Sequence, residues 1–317
     1  MPELTISPAA CRKGLGAAIT AAAVVAMSGC QTSPPAPSSS QTLTQARAGF
    51  TTNLVSKVKD NDPLETPPQG SGLKLVYYQD PLGKFPAYVS LPKVAGKRYP
   101  AIIWITGGFD SSIGDNSWTP GDPDNDQSAM GFRERGIVTM YPSLRGGNNN
   151  PGYHEVCYGE VDDVLAAEKY LASLPYVDPS RIYLGGHSTG GTLALLTSES
   201  TGVFRAVFSL GPVSSVVNYG NDVLPYDHSN QQENVLRSPA LFLNSVTKPT
   251  WIIEGEDESS NISSLNYMQQ ESTNPLIHFM PIPGKDHFSE ISVTTPILCS
   301  WILNDKGTQF VGPAAKQ

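Results

Sequence analysis

The stretch IYLGGHSTGG at residues 182–191, followed by the apolar run TLALL at 192–196, decides the fold of this chain. It centres a Gly-x-Ser-x-Gly motif on Ser188, between a strand-like segment and a helix-forming one. The motif alone is weak evidence, because a chain with 29 glycines produces such spacings by chance. The strand–turn–helix context is what a nucleophile elbow requires, since that turn exposes the serine Oγ beside a helix N-terminus. We therefore predict that Ser188 is a nucleophile.

Short apolar runs alternate with helix-like stretches on both sides of this motif. Such alternation is typical of a buried parallel sheet with helices on both faces. The sequence therefore predicts a single α/β domain over residues 70–310, with a mostly parallel central sheet. An antiparallel pair opens it at 73–78 and 88–91, further strands are expected at 101–106, 137–141, 182–184, 206–210, 250–253 and 277–281, and helices at 158–174, 191–200, 263–271 and 294–304.

Two long polar stretches interrupt the alternation, at residues 110–126 and 216–234. Both are rich in residues that favour loops, and both follow predicted strands. Loops at the carboxyl ends of parallel strands lie where such sheets carry their sites. They are candidate rims or lids over a pocket, and plain surface loops are the alternative.

A serine nucleophile needs a base, and the chain has five histidines. His287 follows the last predicted strand, on a loop at the edge of the sheet where the nucleophile is expected. We therefore predict His287 as the base. The other histidines are placed less well: His154 precedes the serine, His187 is adjacent to it, His228 lies in a long loop, and His278 lies within a strand.

The orienting acid is expected between the nucleophile and the base in the chain, just after the strand at 250–253. Residues 254–258 read EGEDE, with four acidic residues in five positions. One of them is predicted to hydrogen-bond His287 and hold its tautomer, and the run leaves the choice among them open. Asp286 is a weaker rival, because neighbours on one short turn rarely face each other.

An oxyanion hole is expected from two backbone N–H groups. One is that of Thr189, the residue after the nucleophile. The other comes from the glycine-containing turn after the strand at 101–106, where glycine permits close backbone approach. The candidates there are Gly108 and Phe109.

The first 29 residues are predicted to be a signal peptide with a basic start, an apolar stretch at 14–27, and Met-Ser-Gly before Cys30. That ending resembles a bacterial lipobox, which predicts a lipid on Cys30 and a place in the cell envelope, anchored to a membrane. An ordinary secretory signal is the alternative. Residues 30–60 begin with an uncharged Ser/Pro-rich segment and are predicted to be a flexible tether.

Charge and cysteine content restrict the remaining possibilities. The formal net charge is −8, and removing the first 29 residues, whose charges sum to +1, leaves −9. An acidic body argues against nucleic-acid partners. Cys157 and Cys299 could form a disulfide in an exported protein, or could be two buried free thiols. No cysteine spacing typical of metal sites is present, no cofactor is indicated, and oligomeric state stays open.

Five segments carry a family resemblance and occur in the family's order. They are YPAIIWITGGF (99–109), IVTMYPSLRGG (137–147), GEVDDVLAAEKYLASLPYVDPSRIYLGGHSTGGTLALL (159–196), WIIEGEDE (251–258) and IPGKDHF (282–288). Over roughly residues 99–303 the chain resembles the catalytic domain of the prolyl oligopeptidase and dienelactone hydrolase-like families. The resemblance implies an α/β-hydrolase fold and a triad of Ser188, His287 and an acid.

Two positions depart from the family pattern. In the family, the acid is commonly an Asp three residues after the glycine that closes its strand. In this chain that position is Glu258, and Asp257 lies one residue earlier. Both residues are kept as candidates for the acid. Thr106 stands where the family usually has His before Gly-Gly. Because the oxyanion donors are backbone groups, that change is compatible with activity.

Three functions are compatible with these observations. The first is a serine hydrolase acting on small carboxylic esters, favoured over a peptidase because fewer than 75 residues precede the domain, where prolyl oligopeptidases carry a propeller. The second is a membrane-anchored serine peptidase acting on short peptides. The third is a non-catalytic envelope lipoprotein with a hydrolase fold, disfavoured because nucleophile, base and acid candidates are all present.

Overall fold

The computed structural model describes residues 41–257, 259–307, 310 and 312. Within these residues eight strands form one sheet: β1 (Leu73–Asp80), β2 (Gly83–Ser90), β3 (Tyr99–Ile105), β4 (Val138–Pro142), β5 (Val177–His187), β6 (Val207–Leu210), β7 (Thr250–Gly255) and β8 (Ile277–Ile282). The helices are α1 (Leu43–Arg47), α2 (Met130–Glu134), α3 (Glu160–Ser173), α4 (Thr189–Ser200), α5 (Gln231–Val235), α6 (Ile262–Glu271) and α7 (Glu290–Asn304).

The strands lie in the order β1-β2-β4-β3-β5-β6-β7-β8. β1 and β2 pair in antiparallel fashion, as do β2 and β4, and the other neighbours are parallel. The prediction of a mostly parallel sheet opened by an antiparallel pair is confirmed. The carboxyl ends of β3, β5, β6, β7 and β8 share one edge, which is where an open parallel sheet carries its site.

Both faces of the sheet are covered, as the continuous apolar strands predict. In β3, Ala101 and Ile103 pack into one core together with residues of α3 and α4. The alternate residues Ile102 and Trp104 pack into a second core with residues of α2 and α7. Side chains alternate along a strand, so the two cores lie on opposite faces of the sheet.

Cys157 and Cys299 are both buried free thiols. Cys157 belongs to the core that contains α3 and α4, and Cys299 to the core that contains α2 and α7. Because the sheet separates the two sulfurs, the disulfide considered from the sequence is not formed, and the free-thiol alternative holds. Their hydrogen bonds also differ, since Cys157 faces the Thr189 carbonyl and Cys299 that of Gly131.

Residues 41–60 pack against the domain, which differs from the flexible tether predicted for 30–60. Leu43 in α1 is fully buried in the core. The Asp60 carboxylate accepts a hydrogen bond of 2.6 Å from the Ser111 N–H. The Ser/Pro-rich composition of residues 31–45 does not indicate these contacts. One buried leucine and a few polar partners are enough to hold residues 41–60, the arm, against the domain.

The predicted signal peptide and Cys30 lie outside the described residues. Within the part of the chain that the structure describes, no helix combines the length and the apolar character needed to cross a membrane.

Candidate active site

Ser188 stands on the sharp turn between β5 and α4. Its backbone has φ 58° and ψ −118°, a conformation that a non-glycine residue adopts only under constraint. The flanking glycines make the turn fit, since a Cβ at Gly186 would lie 2.5 Å from the Gly190 carbonyl oxygen, and one at Gly190 would lie 2.3 Å from that of Ile105. The Ser188 N–H donates to the Leu210 carbonyl at 2.8 Å, which fixes the turn against β6. This geometry is that of the predicted nucleophile elbow.

His287 lies on the loop after β8, and its side chain is beside the elbow. Gly211, just after β6, provides the space: a Cβ there would lie 2.5 Å from His287 Cε1 and 3.4 Å from the Ser188 N atom. Gly211 also has φ +64°, which favours glycine. The structure therefore places the side chain of the sequence-predicted base next to the turn that bears Ser188.

The acid that faces His287 is Glu254, near the end of β7. Its Oε2 lies 3.2 Å from His287 Nδ1, and its side chain is fully buried. The Gly255 N–H donates to Oε1 and the Asn261 N–H donates to Oε2, each at 2.9 Å. Backbone donors therefore hold the carboxylate in position for the imidazole.

The two acids named from the family pattern are placed differently. Asp257 is exposed, and its N–H donates to the Lys285 carbonyl, while its carboxylate makes no hydrogen bond with a described residue. Glu258 lies outside the described residues. Of the acidic residues at 254–258, the structure thus pairs Glu254 with the base. Asp286 caps the following turn instead, with Oδ1 accepting from the N–H and hydroxyl of Ser289.

A second buried carboxyl, Glu290, lies near this pair. Neither of its oxygens has a hydrogen-bond partner among the described residues. Burial, and then the negative charges of Glu254 and Asp286, raise the pKa of Glu290 far above its usual value. The raised pKa favours the neutral form of Glu290, in which it adds no competing charge beside His287.

The predicted oxyanion turn lies against the elbow. A Cβ at Gly107 would lie 3.1 Å from the Ser188 Cβ, and the Thr189 hydroxyl donates to the Gly108 carbonyl. The backbone N–H groups of Thr189, Gly108 and Phe109 donate to no described residue. They are therefore free to serve a substrate oxygen, whereas the Gly107 N–H is taken by Gln127 Oε1 at 3.3 Å.

A cleft opens beside Thr189 and Gly108. Apolar side chains form much of the wall of this cleft. Asp110 and Glu160 contribute the carboxylates among its lining residues. No lysine or arginine lines it among the described residues. The apolar lining residues are Ile105, Leu144, Val156 and Leu193.

The start of the first long polar stretch lines this cleft through Asp110 and Ser111, and the second stretch reaches the oxyanion turn through Tyr219. Phe109 and Tyr219 contact each other edge to face at 5.4 Å. The Tyr219 hydroxyl lies 2.7 Å from Thr192 Oγ1 on α4. These contacts connect the oxyanion turn and the 216–234 stretch to the helix that follows Ser188.

Sequence reasoning missed three parts of this site. Glu254 was one of four acids in a run, and only its position at the buried end of β7 distinguishes it. His187 was set aside because it neighbours Ser188, yet it is fully buried and its Nε2 lies 2.7 Å from the His287 carbonyl oxygen. Gln127, which contacts His187, lies in a polar segment without any motif. Of the remaining histidines, His154 lines the cleft and pairs with Asp60, His278 stacks on Trp251, and His228 is exposed.

Comparison with known proteins identifies the family of this domain. A model of the prolyl oligopeptidase family matches residues 124–289, just over half of the chain. A Bacillus subtilis protein described as the uncharacterized peptidase YtmA is 24% identical over 197 residues, which cover 56% of this chain and 71% of that protein.

Solved structures share the fold. A puromycin-hydrolyzing peptidase of Mycobacterium tuberculosis matches with a TM-score of 0.61 and 18% identity, covering 79% of this chain and 44% of that one. Est1E from Butyrivibrio proteoclasticus matches with a TM-score of 0.53 and 20% identity, covering 72% of this chain and 97% of that one. The chain thus has the α/β-hydrolase fold, and it spans less than half of the length of the mycobacterial peptidase.

Proposed function

The chain belongs to the prolyl oligopeptidase family of serine hydrolases, and from that premise we propose that it cleaves short peptides through an acyl-enzyme on Ser188. His287 is the proposed base and Glu254 the proposed acid. The observation that carries this proposal is the contact of 3.2 Å between His287 Nδ1 and the buried Glu254 carboxylate, beside a strained serine elbow. The peptidase relatives support the substrate class.

The proposed chemistry follows from the donors and acceptors of these groups. With Nδ1–H donating to Glu254, His287 has Nε2 free to take the Ser188 Oγ proton as Oγ attacks the substrate carbonyl carbon. The negative oxygen of the tetrahedral intermediate would accept from the N–H of Thr189 and that of Gly108 or Phe109. His287 returns the proton to the leaving amine, and water then repeats these steps to release the acid.

Ester hydrolysis is the second candidate, and the same acyl-enzyme performs it. The match to this chain covers 97% of Est1E but only 44% of the mycobacterial peptidase. The mycobacterial peptidase therefore has a large part that the match does not include. The cleft beside the oxyanion turn has an apolar wall, as sites for small molecules commonly do. An ester is also the more reactive substrate, so activity on esters alone would favour this candidate.

Labelling by a fluorophosphonate probe tests the nucleophile, and substrate assays separate the candidates. We expect labelling that disappears in Ser188→Ala and in wild type pretreated with a serine-directed inhibitor. Aminoacyl and dipeptidyl p-nitroanilides should be hydrolysed if the protein is a peptidase, and p-nitrophenyl acetate or butyrate alone if it is an esterase. Absence of labelling and of all turnover would instead favour the non-catalytic envelope protein.

We also propose a lipid anchor on Cys30 in the bacterial cell envelope, supported by the Met-Ser-Gly-Cys sequence that follows the apolar stretch. Fractionation of cells that express the whole chain tests it. Wild type should sediment with membranes and incorporate an alkyne fatty acid. Cys30→Ser should lose both properties, while Cys299→Ser, in the buried core, should keep them.

A further inference from the structure

His187 has a hydrogen-bond partner on each ring nitrogen. Its Nδ1 lies 2.9 Å from Gln127 Nε2, and its Nε2 lies 2.7 Å from the His287 backbone oxygen. The side chain is fully buried, and its ring centroid is 4.6 Å from that of His287. The residue beside the nucleophile is thus in direct contact with the segment that carries the base.

The chemistry of the partners determines where the His187 proton is. The Gly107 N–H can only donate, so the Gln127 atom that faces it is Oε1, and Gln127 Nε2 therefore faces His187. An amide nitrogen only donates, which makes His187 Nδ1 an acceptor. The His287 carbonyl oxygen only accepts, so His187 Nε2 must carry the hydrogen. The carbonyl contact places a hydrogen on Nε2, the amide contact leaves none on Nδ1, and together they require the neutral Nε2–H tautomer.

We propose that Gln127 and His187 are positioning residues that couple the oxyanion turn to the base loop. The chain of contacts runs from the Gly107 N–H through the Gln127 amide and the His187 ring to the His287 carbonyl. It fixes the backbone of the turn that bears Gly108 and of the loop that bears the base. This inference rests on the proposed function, because a positioned base matters only if His287 acts on Ser188.

The surroundings keep His187 neutral. Burial, and then the neighbouring His287, lower the pKa of His187 to about 3. The rings of His287 and Phe288 lie against it, and neither is a carboxylate that would stabilise an imidazolium. Because both nitrogens are engaged, His187 has no free lone pair with which to act as the base itself.

Two substitutions separate hydrogen bonding from packing. Gln at position 187 keeps one donor and one acceptor, whereas Phe keeps the volume and loses both. We expect His187→Phe to lower kcat by about 100-fold with KM changed less than three-fold, and His187→Gln to recover at least ten-fold of that loss, magnitudes typical of misplaced catalytic groups. His278→Gln, on β8 and away from Ser188, is the matched control and should keep wild-type kcat.

An NMR measurement gives a readout that is independent of turnover. Long-range ¹H–¹⁵N correlation of the ring nitrogens, assigned by the signal lost in His187→Gln, should show the neutral Nε2–H tautomer from pH 5 to 8. In Gln127→Glu a carboxylate oxygen replaces the amide nitrogen, so Nδ1 should become protonated. Wild-type kcat in His187→Phe, an Nδ1–H tautomer, or an imidazolium in wild type at pH 7 would overturn the inference. Failure of the proposed function is distinguishable, since it would appear as absent Ser188 labelling in wild type.

Discussion

The buried carboxylate of Glu254 lies 3.2 Å from His287 Nδ1, and two backbone N–H groups hold it there. Glu254 directly precedes the glycine that closes β7, whereas the family pattern predicts the acid at Glu258, three residues after that glycine. A residue near the end of a buried strand has its side chain fixed by the sheet. The exposed turn that follows has no such constraint.

Replacing Glu254 with Gln should therefore lower kcat by about 10³–10⁴-fold, as removal of a triad acid does elsewhere. Asp257→Asn should change kcat by less than about three-fold, because the Asp257 side chain is exposed and makes no hydrogen bond with a described residue. Steady-state kinetics on one ester and one p-nitroanilide measure both. A larger loss in Glu258→Gln than in Glu254→Gln would assign the acid to Glu258 instead.

Gly211 should be essential for the base. Ala at this position would bring a Cβ to 2.5 Å from His287 Cε1 and would strain a backbone with φ +64°. We expect Gly211→Ala to lower kcat by at least about 100-fold, the cost of a misplacement of about 1 Å. Gly114→Ala is the control, because a Cβ there contacts nothing within 4 Å. Equal kcat values in the two variants would contradict this assignment.

The neutral state of His187 predicts a specific dependence of stability on pH. Burial, and then His287, lower its folded pKa to about 3, while the pKa of a histidine in the unfolded chain is about 6.5. Between these values the unfolded chain binds a proton that the folded chain does not. The free energy of unfolding therefore decreases as pH falls from about 6.5 toward about 3.

The slope attributable to His187 should approach about 1.4 kcal/mol per pH unit within that window. Urea unfolding of wild type and His187→Gln at pH 4, 5, 6 and 7 measures it, and the difference between the two proteins cancels the other titrating groups. Stability should decrease less steeply with acid in the variant. Parallel curves would mean that His187 is protonated in the fold.

The arm at residues 41–60 should contribute to stability. Leu43 is fully buried, so Leu43→Ala should cost about 2–4 kcal/mol, in the range of buried leucine truncations. Leu82 is 43% exposed in the turn between β1 and β2, and Leu82→Ala should cost less than about 1 kcal/mol. Denaturant midpoints of the two variants test this, and equal values would mean that the arm does not stabilise the domain.

The carboxylates of the cleft should influence substrate charge. Asp110 lies on its lining, and burial, followed by the charges of Asp60 and Asp62, raises the pKa of Asp110. Substrates that place a cationic group in this cleft should be favoured over those that place an anionic group there, and Asp110→Asn should reduce that preference by about five-fold, equivalent to about 1 kcal/mol. The ratio of kcat/KM for matched substrates measures the effect, with exposed Asp124→Asn as the control. The preference should also weaken in acid, as Asp110 becomes protonated.

Most of the architecture follows from local pattern. The apolar runs that became β3, β4 and β7 are continuous because both of their faces are buried, so periodicity and composition identify them without knowledge of their neighbours. Strand ends differ by a few residues, as in β5, which begins at Val177 where the apolar run begins at Ile182. Pairing with β3 extends β5 backwards, and no local signal records that pairing.

By itself, the sequence determined the fold class, predicted the turn at Ser188 and predicted His287 on the loop after the last strand, because each depends on residues that are close in the chain or on their order. Only the tertiary structure decided the rest. It paired Glu254 with His287, gave His187 and Gln127 partners from distant loops, separated Cys157 from Cys299 across the sheet, and packed the arm onto the domain. These are contacts between segments 30 or more residues apart, and they depend on the direction in which a side chain leaves its strand or turn, which composition and spacing do not encode.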